Sequence, residues 1–173
     1  FLQKLVYASD QFGELTAENR FALLQRVVND APPGSAGVLF LPWMGGSIAP
    51  RAESRMRGGF LNLSLDTTRS HMARAVLEGV AMNLRWMRKP VEKFAGRRFS
   101  HFVFYGGGAE SAAWSQSLAD VLDTPVHQMA KPQYATCLGA GLLAFQRLGR
   151  LGFGDFASRV PIRRVYEPNA ANR

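Results

Sequence analysis

The chain has 173 residues, 47% of them apolar and 20% charged, with a single cysteine and a net charge of +8. That length suits one domain with a real core and excludes two ordinary ones; Cys137 alone excludes an internal disulfide and a cysteine-built metal site. No apolar run approaches the ~20 residues of a membrane span, and the opening Phe1-Leu2-Gln3-Lys4-Leu5-Val6-Tyr7 lacks a signal-peptide pattern, which together point to a cytoplasmic protein.

The expected order is helix, helix, strand, long loop, strand, long helix, strand, helix, short strand, helix, tail. Residues 1–9 are apolar at 1, 2, 5 and 6, like the end of a helix. The chain opens without Met, which reads as a start inside a longer protein. Thr16 is placed to cap a second helix carrying Phe21, Leu24 and Val28 at helical spacing. Pro32-Pro33-Gly34-Ser35-Ala36-Gly37 breaks the chain as a loop, and residues 38–41 read as a short buried strand. Residues 42–59 show no period and are rich in Gly, Pro, Ser and Arg; a loop of that length suggests a functional or partner-contacting segment. Residues 60–65 read as a strand, and Asp66-Thr67-Thr68 offers caps for the longest helix. There Met72, Val76, Val80, Leu84 and Met87 form an apolar stripe widened by Ala73, Leu77 and Ala81, which is core. Pro90 marks that helix's end or a kink. Gly79, in its middle, costs about 1 kcal/mol against Ala, and close packing of another element is the explanation we prefer.

The informative segment follows. His101-Phe102-Val103-Phe104-Tyr105 reads as a strand running straight into Gly106-Gly107-Gly108-Ala109. Next comes a helix with Trp114, Leu118, Val121 and Leu122 on one face, stopped by Asp123-Thr124-Pro125. Strand, glycine loop and helix deliver free N–H groups and a positive helix end to an anion, and glycine lets a ligand approach without a Cβ in the way. Three glycines are by themselves also a tight turn, and neither GxxxxGK[ST] nor GxGxxG is present.

The sequence around the loop carries more. Gly-Gly-Gly-Ala-Glu-Ser-Ala-Ala-Trp-Ser-Gln-Ser-Leu-Ala-Asp-Val-Leu (106–122) resembles the adenosine motif of the FGGY family of carbohydrate kinases. Downstream, Ala135-Thr136-Cys137-Leu138-Gly139-Ala140-Gly141-Leu142-Leu143-Ala144 is similar to that family's small-residue helix. Upstream, the segments 40–46, 56–60 and 71–79 (Phe-Leu-Pro-Trp-Met-Gly-Gly, Met-Arg-Gly-Gly-Phe, His-Met-Ala-Arg-Ala-Val-Leu-Glu-Gly) follow its second signature in order. Val165-Tyr166-Glu167-Pro168 looks like its late tail. Two departures stand out. Asn62 in Leu61-Asn62-Leu63-Ser64 replaces a Gly common in xylulose- and glycerol-type members and resembles a xylulokinase-like branch. Gly46-Ser47-Ile48-Ala49-Pro50 lacks the Glu and Arg of the usual Gly-Glu-Arg-Thr-Pro, so the resemblance carries no charge role over to that loop.

The resemblance implies an α/β, ribonuclease-H-like domain of the actin-like ATPase superfamily. It would be the C-terminal, nucleotide-binding half of a sugar kinase, with residues 1–173 a partial domain, incomplete on its N-terminal side. It implies a nucleotide site at Gly106, Gly107, Gly108, Ala109, Glu110 and Ser111. The backbone of the first four would pack on adenine, and Glu110 or Ser111 would supply a polar contact. Trp114 and Leu118 would anchor the helix, with Trp114 as core; Gln116 and Asp120 would bind neighbouring backbone or face water. The implied activity is transfer of the γ-phosphoryl of ATP, with Mg²⁺, to a pentulose or related polyol, xylulose first. The family's catalytic Asp and phosphate-cradling Gly-Thr loop have no match here, and Asp10, Asp30 and Asp66 sit in no matching context. No residue of this chain is therefore assigned as catalytic or metal-binding, and the segment alone should be inactive. Missing sheet strands should leave edges for the remaining kinase domain or another copy to cover.

A non-catalytic sugar or nucleotide sensor is the alternative. Nucleic-acid binding is not expected: Arg51, Arg55 and Arg57, Arg85, Arg88 and Lys89, Arg97 and Arg98, Arg163 and Arg164 are scattered, without interleaved aromatics. His71, His101 and His127 share no metal-ligand spacing and read as structural.

Overall fold

The computed structural model describes residues 20–172, so the expectations of a helix at residues 1–9 and a cap at Thr16 lie outside the described residues. Helix α1 (Arg20–Asn29) buries Leu23, Leu24, Val27 and Val28 against Ala73 and Leu77 of the long helix α2 (Arg69–Ala95). The loop after α1 is fastened to α2 by hydrogen bonds to Arg74 and Glu78, an ion pair within α2. Arg74 Nε lies 2.8 Å from Glu78 Oε1, the Ser35 hydroxyl donates to Glu78 Oε2 at 2.7 Å, and the Gly34 N–H donates to Oε1 at 3.0 Å. Every lone pair used on that carboxylate is satisfied, as a buried charge requires.

Strand β1 (Leu39–Leu41) pairs antiparallel with β2 (Gly59–Leu61), Phe40 opposite Phe60 with ring centroids 5.0 Å apart. The connection between them is not idle coil. Ser47 and Glu53 exchange backbone hydrogen bonds at 3.0 and 2.8 Å, and Trp43 Nε1 donates to Asn83 Oδ1 of α2 at 3.2 Å. The strand expected over residues 60–65 stops at Leu61. Asn62 takes φ +60°, which asparagine tolerates, and its amide donates to the Gly37 carbonyl at 3.1 Å.

Helix α2 starts on Thr68, whose hydroxyl accepts from the His71 N–H at 3.3 Å while His71 Nδ1 accepts from the Thr68 N–H at 3.2 Å. The helix does not end at Pro90 but runs to Ala95, capped by Gly96 at φ +66°. Its last turns are pinned from outside: Arg88 Nε meets Glu92 Oε1 at 2.8 Å, and the Phe99 N–H donates to the same oxygen at 2.9 Å. These contacts offset the hydrogen bond that proline cannot make. Gly79 is explained by packing. A β-carbon there would overlap the carbonyl oxygen of Phe40, so β1 lies directly on the α2 backbone.

A second sheet has the order β3-β4-β5. Strand β3 (Phe102–Phe104) runs parallel to β4 (Val126–Met129), which is antiparallel to β5 (Ile162–Tyr166). Helix α3 (Ala112–Leu122) crosses between β3 and β4 and buries Leu118, Ala119 and Leu122 against Ala81, Val126 and Tyr166. Helix α4 (Ala135–Arg147) buries only Leu142. Among the described residues the outer edges of β1 and β3 have no strand partner, and no helix is long and apolar enough to cross a membrane.

Candidate functional site: the turn between β3 and α3

The strand does not run straight into α3. Gly106 breaks away at φ +82°, ψ −176°, a conformation essentially reserved for glycine, and its N–H donates to the Pro132 carbonyl at 3.0 Å. Gly107–Glu110 then coil into one 3₁₀ turn, closed by hydrogen bonds of 3.1 Å from Ala109 N–H to the Gly106 carbonyl and from Ser111 N–H to the Gly108 carbonyl. Ser111 caps α3, its hydroxyl accepting from the Trp114 N–H at 3.2 Å.

The three glycines stand for different reasons. A β-carbon on Gly106 or Gly107 would meet nothing within 4 Å, whereas one on Gly108 would come within 2.7 Å of the Trp114 ring and 3.2 Å of Phe104. Gly108 is thus demanded by the core, and open space lies over Gly106 and Gly107. Among the described residues the N–H groups of Gly107 and Gly108 donate to no acceptor. Two unspent donors at the head of a tight turn suit an acceptor atom or anion on a ligand.

Of the six residues expected here, Gly106, Gly107, Gly108 and Glu110 reach the surface. Ala109 is fully buried and Ser111 is 2% exposed. The two polar candidates differ accordingly: the Ser111 hydroxyl is spent on the cap, and the Glu110 carboxylate stands outward, 3.6 Å from Arg163 Nη1. Trp114 is core, edge-on to Phe104 at 5.9 Å. Gln116 and Asp120 are structural. Gln116 donates to Asp120 Oδ1 at 2.7 Å and to the Glu167 carbonyl at 2.8 Å, while Asp120 accepts from the Asn169 N–H and the Asn172 amide, both at 2.8 Å.

Three residues that shape the turn escaped the sequence reading. Buried Gln128 of β4 donates to the Ala109 carbonyl and accepts from the Tyr166 hydroxyl at 3.4 Å. Pro132 holds Gly106, and Arg163 pairs with Glu110. Only Gln128 left a local trace, as an amide in a strand otherwise buried beside Val126 and Met129.

The histidines stay outside this site. His71 completes the α2 cap. His101 and His127 stack at 4.3 Å, and burial, then the neighbouring His101, holds the His127 imidazole below the usual histidine range. Among the described residues no three His, Cys, Asp or Glu side chains cluster as a metal site.

The C-terminal domain model of the FGGY family of carbohydrate kinases matches residues 2–147. A xylulose kinase of Lactococcus lactis is 34% identical over 112 residues, covering 65% of this chain and 22% of the relative. A glycerol kinase of Myxococcus xanthus is 35% identical over 133 residues, covering 77% and 26%. The crystal structure of xylulose kinase from Rhodospirillum rubrum superposes with a TM-score of 0.76 at 30% identity, over 99% of this chain and 33% of that one. The chain thus spans a third or less of the length of these relatives. On the glycine turn, the layered α/β order and these matches together, it belongs to the FGGY family of carbohydrate kinases, as C-terminal domain sequence with the ribonuclease-H-like fold of the actin-like ATPases.

Proposed function

We propose that this chain is the nucleotide-binding part of a kinase that transfers the γ-phosphoryl group of ATP to a sugar or polyol hydroxyl, with xylulose the first substrate to test. The observation that carries the reading is the turn at residues 106–111. Two free N–H groups and two glycines face open space, while Gln128 and Pro132 lock the backbone behind them. Adenosine would lie over Gly106 and Gly107, with the Glu110 carboxylate as a polar contact and Ala109 and Ser111 shaping the turn from inside. A preformed cradle of this kind lowers the ordering cost of binding.

Phosphoryl transfer further requires a base at the acceptor hydroxyl and a magnesium-bound triphosphate. No described carboxylate cluster fits Mg²⁺, so the ion would arrive with ATP and be held by the remainder of the kinase. That remainder would also supply the base and cover the free edges of β1 and β3, making these residues a partial domain. The family names favour xylulose, yet a glycerol kinase matches as well, and sugar-contacting residues are not identified in this chain. The expected setting is the cytoplasm, where ATP is present.

The test uses the full-length protein. Gly107→Val should weaken ADP binding at least tenfold by calorimetry and raise the KM for ATP, leaving the KM for sugar unchanged in a coupled assay over a sugar panel. Unchanged ADP affinity would remove the nucleotide from this turn. ADP binding without turnover on any sugar would leave a sensor instead of an enzyme.

A further inference from the structure

Gly106 and Gly107 face open space, and nothing packs against the place where a β-carbon would stand on either. Glycine populates both signs of φ, so this stretch of backbone does not hold its own direction. The Gly107 and Gly108 N–H groups, without an acceptor among the described residues, converge on a ligand only if the turn is fixed at both ends. At its start the Pro132 carbonyl takes the Gly106 N–H at 3.0 Å. At its end the Ala109 carbonyl accepts from the Gln128 amide of β4. Gln128 lies opposite Phe104 in the sheet register, beside the strand end from which the turn departs.

An amide is a costly side chain at that place. Gln128 is 3% exposed, with Val126 and Met129 of the same strand buried beside it. Burying an amide is unfavourable unless its donor and its acceptor are both used. Both are used here: Nε2 reaches the Ala109 carbonyl, and Oε1 accepts from the Tyr166 hydroxyl of β5 at 3.4 Å. Ala109 and Tyr166 are buried as well, so water does not compete for either bond. A phenol that donates to Oε1 leaves Nε2 as the end turned to Ala109, and the pair thereby fixes which way the amide points.

We infer that Gln128, oriented by Tyr166, is a positioning residue for the nucleotide. It holds the Ala109 carbonyl inward so that the Gly107 and Gly108 N–H groups stay aimed at the ligand. The inference rests on the nucleotide reading of residues 106–111. Ordering the turn in advance acts on nucleotide affinity and leaves sugar binding and the chemical step alone. The test uses the full-length protein. Gln128→Met, similar in shape but unable to donate, should raise the KM for ATP and the Kd for ADP about tenfold, the scale of one lost neutral hydrogen bond. The kcat and the KM for sugar should not change. Gln128→Glu donates like the parent while its carboxyl is protonated and only accepts once ionised. Its ADP affinity should therefore fall between about pH 5.5 and about pH 8.5, the range of buried carboxyl groups, while that of the parent does not. This comparison is made within one protein, so it stands even if Gln128→Met folds poorly. A side chain that only supports the fold would lower kcat or the folded fraction and leave the KM for ATP unmoved. That result, with no pH dependence in Gln128→Glu, overturns the inference. Gly107→Val separates the two readings. If it weakens ADP and the Gln128 variants do not, the turn holds nucleotide without Gln128; if none of them changes ADP affinity, the nucleotide reading falls and the inference falls with it.

Discussion

Two glycines in helix interiors, changed in the same way, should respond with opposite signs. Alanine is favoured over glycine in a helix by about 1 kcal/mol, and that gain applies at both Gly79 in α2 and Gly139 in α4. At Gly139 the added β-carbon meets nothing within 4 Å, so Gly139→Ala should stabilise by about 1 kcal/mol. At Gly79 it lands on the Phe40 carbonyl oxygen, a backbone atom that no rotamer change can move aside. Strand β1 must then lift from α2, opening the cluster of Val38, Phe40, Ala75 and Val76. Overpacking of this kind costs about 3 kcal/mol at the upper end of its usual range, which leaves Gly79→Ala about 2 kcal/mol less stable. Urea unfolding of the full-length protein and both variants, with tryptophan fluorescence as the readout, measures the difference. Gly79→Ala as stable as the parent, or more so, would refute the claim that β1 rests on the α2 backbone.

Glu78→Ala should destabilise by about 3–5 kcal/mol, because it leaves the Arg74 guanidinium, its side chain only 11% exposed, without its counter-charge; the same urea titration checks it. Glu92 has a depressed folded pKa, so its contribution is present above the unfolded carboxylate pKa and is lost as pH falls through the folded value. Stability measured from pH 6 down to pH 3 should therefore fall less steeply in Glu92→Gln than in the parent. His127 is likewise depressed, here because burial and His101 disfavour the charged imidazole. The unfolded chain takes up the proton first, so stability should drop as pH falls below about 6.5. His127→Phe, which keeps a ring against His101, should flatten that part of the profile.

Much of the fold was legible in the chain because the signals were local. Helical spacing in α2, the Thr68 cap, the Pro-Gly break after α1 and the strand, glycine and helix sequence around residue 106 each follow from neighbouring residues. Even the reason for Gly79 was expected in kind, since a costly glycine in an apolar helix needs a close neighbour. What the sequence could not carry was anything fixed by partners far along the chain. Helix α2 continues past Pro90 because the Phe99 amide and Arg88 hold Glu92. The strand after Gly59 ends early because Asn62 reaches back to the Gly37 carbonyl. Gly108 differs from Gly106 and Gly107 only because Trp114 lies beneath it, and Gln128 becomes part of the turn only when β4 is laid beside β3. Cations separated in sequence become one groove when α2, the loop before β3 and the end of α3 meet. Local propensity chose the elements; long-range packing decided which glycines face open space and which charges share a groove.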